Sequence, residues 1–333
     1  MRMRKRVAAA VAAMLALPSA SVPQTYRPPR HTLPMSPLIL SGEPVDLMFR
    51  ADAGMQIEQD RSAATELEEH RKLERALKGL PAQRPGVVDA YLVSIALDSD
   101  PVFGREARGA AAVLSRRYGA AERSIVLAGS DGSGPSVLPR GSPGTLGVVL
   151  ARMAELMDKK EDVLILYTTS HGAPIGLIYH DADNGYGAVS PSRLAIVLDE
   201  LGLTNRMLIL SACHAGVFVP RLQNGSAAIV AAAAADRTSF GCAADNDWTF
   251  FGDALINNAM RKPQPLAAAF GEAQALISSW EARAPARPSL PQLSVGAKAG
   301  AWLAAIERRV PKTATQPVGR PAFAPAAPTP PAR

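Results

Sequence analysis

Two short apolar segments, each ending in a residue suited to nucleophilic or acid–base chemistry, constrain this chain more than any other feature. DVLILYTTSHG ends at His171 and Gly172, and RMLILSACHAG carries Cys213. Apolar runs of this length are typical of buried strands in a parallel sheet. Ligands bind at the carboxyl edge of such sheets, where all three residues would lie. The pattern therefore predicts an α/β fold with an active site at the ends of two strands.

Apolar runs and helical patterns alternate through the middle of the chain. The predicted strands are Val87–Leu97, Ser124–Leu127, Val163–Thr169, Met207–Ala212 and Ala227–Ala234. Helical patterns separate them, and a hairpin signal lies at Asn184-Gly185. This alternation predicts a mostly parallel sheet that is covered by helices on both faces.

The amino-terminal segment has the layout of a secretory signal. A basic start precedes the apolar run Val7–Leu17 and a group of small residues, and this run is too short to span a bilayer. We therefore expect a periplasmic or secreted protein with no membrane span beyond the signal. Four positive residues of the signal contribute to the net charge of +6, which leaves about +2 for the rest of the chain. Because this surplus is small, no nucleic-acid partner is predicted.

Composition and periodicity divide the chain into four parts. Residues 1–21 are the predicted signal, and residues 22–80 form an irregular lead-in followed by a helix over Gln56–Leu80. Residues 81–310 form the folded domain, with its βα alternation. Residues 311–333 are rich in Pro and Ala and are predicted to be a disordered tail.

The two strand ends together carry the parts of a thiol-dependent reaction. A cysteine becomes an effective nucleophile when a base lies within hydrogen-bond reach, so His171 is the predicted base for Cys213. The backbone N–H groups of Gly172 and Cys213 are the predicted oxyanion hole. His214 is a rival base, but neighbouring residues of an extended chain point in opposite directions, so we expect it to face away.

Other uses of the cysteines stay open at this point. In an exported protein, Cys213 and Cys242 could instead form a structural disulfide. A zinc site made of Cys213, His214 and His171 lacks a ligand pair at metal spacing. The acidic residues near the hairpin turn lack the closing Glu of a calcium loop. No metal and no cofactor is predicted.

A third segment extends the pattern and makes it specific. DRTSFGCAADNDWTFFGDAL spans Asp236–Leu255 and follows the His171 and Cys213 motifs in order. With these three motifs, the chain resembles the legumain-like cysteine peptidases of the caspase-like clan from about Arg84 to residue 300, in the style of the exported bacterial branch. The resemblance implies a caspase-like three-layer α/β sandwich over residues 81–310.

The resemblance also implies roles for individual residues. The third segment would line the primary specificity pocket, with Ser239, Phe240 and Asp253 at matching positions. Cys242 would sit at a cysteine position of this segment, as a small buried residue and not a second nucleophile. The basic residue of the pocket has two candidates, Arg105 and Arg108.

Two departures from the eukaryotic legumain pattern bear on specificity. Ser211 stands where legumain has an acidic residue two before the catalytic cysteine, and Ser170 stands where it has Asp before the catalytic histidine. Both serines are candidate substrate-binding residues. The preference for asparagine that legumain shows is therefore not carried over to this chain.

These observations lead to one function hypothesis and to alternatives that stay open. The hypothesis is an exported cysteine endopeptidase acting on peptide or protein substrates, in which the Cys213 thiolate forms an acyl-enzyme and His171 is the general acid and base. The alternatives are a transpeptidase of the same family, an inactive peptide-binding scaffold and a disulfide-stapled domain. No oligomeric state is predicted.

Overall fold

The computed structural model describes residues 26, 29–32, 42–284 and 286–323. The predicted signal and the last ten residues of the predicted tail lie outside these ranges. Within the described part of the chain, no helix combines the length and the apolar character that a bilayer crossing requires.

The described chain contains ten strands and eight α-helices, numbered here in chain order. The strands are β1 Gln56–Glu58, β2 Ala90–Ala96, β3 Ser124–Leu127, β4 Val163–Thr169, β5 Gly172–Ala173, β6 Gly176–Asp181, β7 Gly185–Val189, β8 Arg206–Ser211, β9 Ala227–Ala231 and β10 Gln292–Val295. The helices are α1 Pro44–Asp52, α2 Ala63–Lys78, α3 Pro101–Tyr118, α4 Pro143–Leu156, α5 Pro191–Glu200, α6 Val219–Leu222, α7 Leu266–Arg283 and α8 Gly300–Glu307. A π-helix covers Gly252–Asn258, and 3₁₀ turns cover Ala121–Arg123, Ala215–Phe218 and Ala259–Arg261.

A six-stranded sheet forms the centre of the domain, in the order β10-β9-β8-β4-β2-β3. The last five strands of this order run parallel, and β10 pairs with β9 in the antiparallel direction. Strands β2, β4, β8 and β9 are buried at every position, which explains why their sequences are continuous apolar runs. The prediction of a mostly parallel sheet is confirmed.

Alternate side chains of the sheet pack into two separate cores. Ile165 and Ile209 face one core, which α3, the π-helix, α7 and α8 cover. Leu164 and Leu208 face the other core, which α4 and α5 cover. Because side chains of a strand alternate between faces, one sheet supplies both cores. The predicted three-layer α/β sandwich is thus confirmed.

A second, antiparallel sheet in the order β1-β7-β6-β5 lies beside the carboxyl end of β4. Its β6–β7 hairpin is the one predicted from Asn184-Gly185. The predicted helix over Gln56–Leu80 is wrong at its start, because β1 pairs with β7 through Ile57 and Tyr186. The helix begins only after Ser62, whose Oγ accepts the Thr65 N–H at 3.1 Å.

Two further segments are more regular than their composition indicates. Helix α1 lies where the lead-in is predicted to be irregular, with proline at its first turn. Residues 311–323 of the predicted tail make specific contacts with the domain. The carbonyl of Val318 accepts the Trp248 Nε1–H at 2.9 Å, and the Phe323 ring stacks on Trp280 with centroids 6.5 Å apart. Such hydrogen bonds and ring contacts can order a segment whose composition alone suggests disorder.

Candidate active site

The carboxyl ends of β4 and β8 meet in register. Thr169 lies opposite Ser211, and His171 and Cys213 each follow two residues later. The two segments of the chain are in contact at this point, because a Cβ built on Gly172 would lie 2.0 Å from the Cys213 carbonyl oxygen. The structure therefore brings the predicted base and the predicted nucleophile to the same edge of the sheet.

The Cys213 thiol is held against the backbone of the 236–255 segment. Its sulfur accepts the Ser239 N–H at 3.2 Å, and the thiol itself faces the Ser239 carbonyl oxygen at 3.5 Å. The chain turns sharply after the cysteine, with His214 in the left-handed region at φ 58°. Burial raises the pKa of the Cys213 thiol, which outweighs the opposite effects of the Ser239 N–H and the His171 charge. The resting group is a thiol.

The His171 ring lies between a carboxylate and a second thiol. Its Nε2 is 3.9 Å from Oδ2 of Asp100, and Cys242 lies close enough to raise the pKa of the ring. Phe103 contacts it edge-on, with ring centroids 5.1 Å apart. Asp100 raises the pKa of His171 most, followed by Cys242, to about 10. His171 is therefore an imidazolium at neutral pH, and 37% of its side chain is exposed to a substrate.

The backbone around Gly172 leaves a donor for an oxyanion. The His171 carbonyl accepts the Ile178 N–H at 3.0 Å, and Gly172 lies opposite Leu177 in the β5–β6 pair. In this register Gly172 and Leu177 form a non-hydrogen-bonded pair, so the Gly172 N–H takes no part in the ladder. This N–H is available to a substrate carbonyl oxygen beside Cys213.

The rival base His214 is engaged elsewhere. Its Nδ1 is 2.9 Å from the carbonyl oxygen of Ala235, and its backbone N–H donates to the Arg237 carbonyl at 2.8 Å. These bonds hold the ring on the outer side of the loop that follows the nucleophile. His171 is thus the histidine that shares an environment with the Cys213 thiol.

A buried carboxylate that the sequence did not reveal lies under the site. Oε1 of Glu106, on α3, accepts hydroxyl hydrogen bonds from Tyr167, Thr169 and Ser211 at 2.7, 2.8 and 2.7 Å. Its Oε2 accepts the Thr249 N–H at 2.6 Å. One side chain therefore connects α3, both strands of the catalytic pair and the 236–255 segment. A lone Glu among the small and apolar residues of α3 is the signal that could have indicated it.

Three of the predicted substrate-binding residues lie beneath the surface. The Ser170 hydroxyl donates to the His171 carbonyl at 2.7 Å, and Ser211 is bonded to Glu106. Asp253 accepts hydrogen bonds from Asn257 and from the Ala322 N–H, at 2.8 Å each, and is 1% exposed. These buried side chains organise the backbone around the site, and their predicted contact with a substrate stays a prediction.

The other two predicted pocket residues lie at the site. The Ser239 backbone contacts the thiol, as described above. Phe240 is half-buried and packs against Phe250, with ring centroids 6.0 Å apart. Of the residues carried over from the third motif, Ser239 is the one that the structure places against Cys213.

The two arginine candidates for the pocket donate hydrogen bonds to nearby loops. Arg105 donates to the carbonyls of Ala244 and Asn246, at 2.6 and 3.1 Å. Arg108 donates to the carbonyl of Gly104 at 2.8 Å and to Ser136 Oγ at 3.1 Å. Both guanidinium groups therefore hold loops around the site in place, and the structure shows neither as a free cation.

The chain was compared with curated proteins and with solved structures. A search of curated proteins found no relative of the chain. Among solved structures, caspase-1 from Spodoptera frugiperda has 14% identity and a TM-score of 0.42, covering 65% of this chain and 92% of that chain. Pro-sf-caspase-1 has 12% identity and a TM-score of 0.41, covering 65% and 91%.

The match to a protein family is more informative, because it covers both candidate catalytic residues. Residues 145–301 match the Peptidase C13 family, a range that includes His171, Cys213 and the whole 236–255 segment. The resemblance to the legumain-like cysteine peptidases is thus confirmed by the family match over this range.

Proposed function

We propose that this protein is an exported cysteine endopeptidase that cleaves peptide bonds through Cys213. The meeting of the Cys213 sulfur, the His171 imidazolium and the Gly172 N–H at one sheet edge carries the proposal. A nucleophile, a proton donor and an oxyanion donor are the three groups that acyl transfer requires. The match of residues 145–301 to the Peptidase C13 family supports the same class of reaction.

The protonation states of the two side chains suggest the order of proton transfers. The Cys213 thiol loses its proton to solvent, and the thiolate attacks the substrate carbonyl carbon. The N–H groups of Gly172 and Cys213 receive the oxyanion, and the His171 imidazolium protonates the leaving amine as the C–N bond breaks. Neutral His171 then accepts a proton from water, which attacks the thioester and releases the carboxylic acid and the Cys213 thiolate. The thiolate takes back from solvent the proton that it lost at the start.

The export part of the proposal rests on the sequence. The predicted signal of residues 1–21 and the position of the folded domain well after it support secretion or a periplasmic location. Fractionation of cells that express the full chain, followed by mass spectrometry of the mature amino terminus, tests this part. Retention in the cytoplasm with an intact amino terminus would contradict it.

Cleavage profiling tests the catalytic part. The purified protein should hydrolyse members of a peptide library and react with an electrophilic peptide probe, and Cys213→Ala should abolish both. Cys242→Ala serves as the matched control and should still take up one label per chain. Failure of the parent protein to cleave any peptide or to be labelled at Cys213 would overturn the proposal. New peptide bonds formed with an added amine would identify the transpeptidase alternative.

A further inference from the structure

Three side chains from distant parts of the chain meet beside the active site. His31 comes from the lead-in, Asp98 follows β2 and His180 lies on β6. One ligand atom from each residue lies within 4.8 Å of the others. We propose that His31, Asp98 and His180 form a binding site for a divalent transition-metal ion such as Zn²⁺.

Two buried polar atoms in this cluster have unused bonding capacity. Oδ2 of Asp98 and Nε2 of His180 have no hydrogen-bond partner among the residues that the structure describes. The two residues are only 3% and 5% exposed. Buried polar atoms are normally paired, and an unpaired one calls for a ligand, an ion or water. A metal ion bound by the cluster would pair with the carboxylate and the imidazole together.

The donor set is one that transition metals prefer. Two imidazoles and one carboxylate, with a further position open to water, bind Zn²⁺ in many proteins. Nε2 of His31 faces Oδ1 of Asp98 at 3.5 Å. Nδ1 of the same ring faces Oδ1 of Asp100 at 3.6 Å. A metal-binding histidine commonly directs its second nitrogen to a carboxylate in this way, which fixes the ring.

The two imidazole rings define the adjustment that binding requires. They are stacked, with centroids 3.6 Å apart and an interplanar angle of 18°. Imidazole lone pairs lie in the ring plane, so a metal shared by both rings requires one of them to turn out of the stack. His31 is the ring that would turn, because its side chain is 17% exposed, whereas His180 is fixed in β6. Turning it breaks the 3.1 Å contact between its Nε2 and Ser99 Oγ. Asp98 also lines a cleft of about 630 Å³ that lies beside the cluster.

The cluster is adjacent to the catalytic histidine but does not include it. Asp100 contacts His31 through Oδ1 and His171 through Oδ2, at 3.6 and 3.9 Å. The proposed metal site therefore shares a carboxylate neighbour with the active site. Metal binding itself is independent of the proposed peptidase activity, so the two proposals can fail separately.

Co²⁺ binding to the full-length chain tests the inference. The experiment uses a Cys213→Ala, Cys242→Ala background, because thiols bind the same metals. We expect about one Co²⁺ per chain, with visible d–d absorption and no thiolate charge-transfer band, and displacement by Zn²⁺. His31→Ala should weaken binding at least about tenfold, as loss of a ligand costs no less than loss of an outer-shell partner.

Matched histidine variants separate the proposed site from other imidazoles. His70 is exposed on α2, and His171 lies at the active site, so His70→Ala and His171→Ala should retain Co²⁺. His180→Ala should lose it, provided that circular dichroism shows a folded protein. Because His31 lies on the lead-in, His31→Ala keeps the test valid if His180→Ala fails to fold. Absence of binding in the background protein, or undiminished binding in His31→Ala, would overturn the inference.

Discussion

Substitution of Gly172 by alanine should separate the two strand ends that form the active site. The new Cβ would lie 2.0 Å from the Cys213 carbonyl oxygen and 3.0 Å from the Ala212 Cβ. Ordinary contact begins at 3.4 Å, so the carbon and the oxygen must move apart by about 1.4 Å. Both partners of the closest contact are backbone-fixed, which leaves no flexible side chain to absorb the movement.

A displacement of this size moves the Gly172 and Cys213 backbones, which form the proposed oxyanion hole, relative to each other. A misplacement of about 1 Å can cost about 100-fold in rate, so kcat/KM should fall by at least this factor. Such a loss corresponds to about 2.7 kcal/mol in the activation free energy. Overpacking should also lower the free energy of unfolding by about 1–3 kcal/mol. Hydrolysis of a peptide substrate and urea unfolding measure the two effects.

Gly147→Ala is the matched control for this substitution. Gly147 lies inside α4, and a Cβ there meets nothing within 4 Å. The control should keep full activity and gain about 0.5–1 kcal/mol in stability, because alanine is a better helix former. A Gly172→Ala protein as active as Gly147→Ala would refute the close approach of the two strand ends.

Three further predictions concern the neighbours of the site. Asp100→Asn removes the main cause of the raised His171 pKa of about 10. Because the imidazolium is the proposed proton donor, the pH at which kcat/KM falls on the alkaline side should move to a lower value. An unchanged pH profile would contradict this. Since that pKa exceeds the unfolded value of 6.5, the stabilisation by Asp100 should be complete below pH 6.5 and lost as pH rises through about 10, as urea unfolding can show. Glu106→Gln turns an amide towards hydroxyl and N–H donors and should reduce the free energy of unfolding by about 1–3 kcal/mol; wild-type stability would exclude the hydrogen-bond network. Trp248→Phe removes the hydrogen bond to the Val318 carbonyl and should speed proteolysis within residues 311–323. An unchanged rate of proteolysis would show that the other contacts of this segment hold it in place.

Strand positions and the catalytic pair could be predicted because they depend on local pattern. Strands β3 and β4 have the predicted bounds, Ser124–Leu127 and Val163–Thr169, since each is an apolar run with polar residues around it. Parallel strands of a sheet end at one edge, so residues that follow two neighbouring strands must meet there. His171 and Cys213 could therefore be placed side by side from the strand pattern alone.

The partners of these residues could not be predicted in the same way. Asp100, Glu106 and Cys242 act through contacts with residues far away in the sequence, and those contacts depend on how α3 and the 236–255 segment dock on the sheet. Strand β1 escaped prediction because it is mostly exposed and, at three residues, too short for its alternation to be recognised. Asp253 matched a family position, but its neighbours Asn257 and Asn258 turn it into a buried hydrogen-bond acceptor.

The Glu106 carboxylate has a consequence for which residues can stand at position 211 in chains that resemble this one. Ser211 contacts it at 2.7 Å, at the position where legumain carries an acid. An acid at position 211 would set two buried carboxylates within hydrogen-bond distance, which requires them to share a proton or to separate. The two positions should therefore substitute as a pair, so that relatives with an acid at the position of Ser211 lack one at the position of Glu106. A comparison of bacterial and eukaryotic sequences should then show a single acid at these two positions. It lies either on the helix, as Glu106 does here, or on the strand, at the position of Ser211.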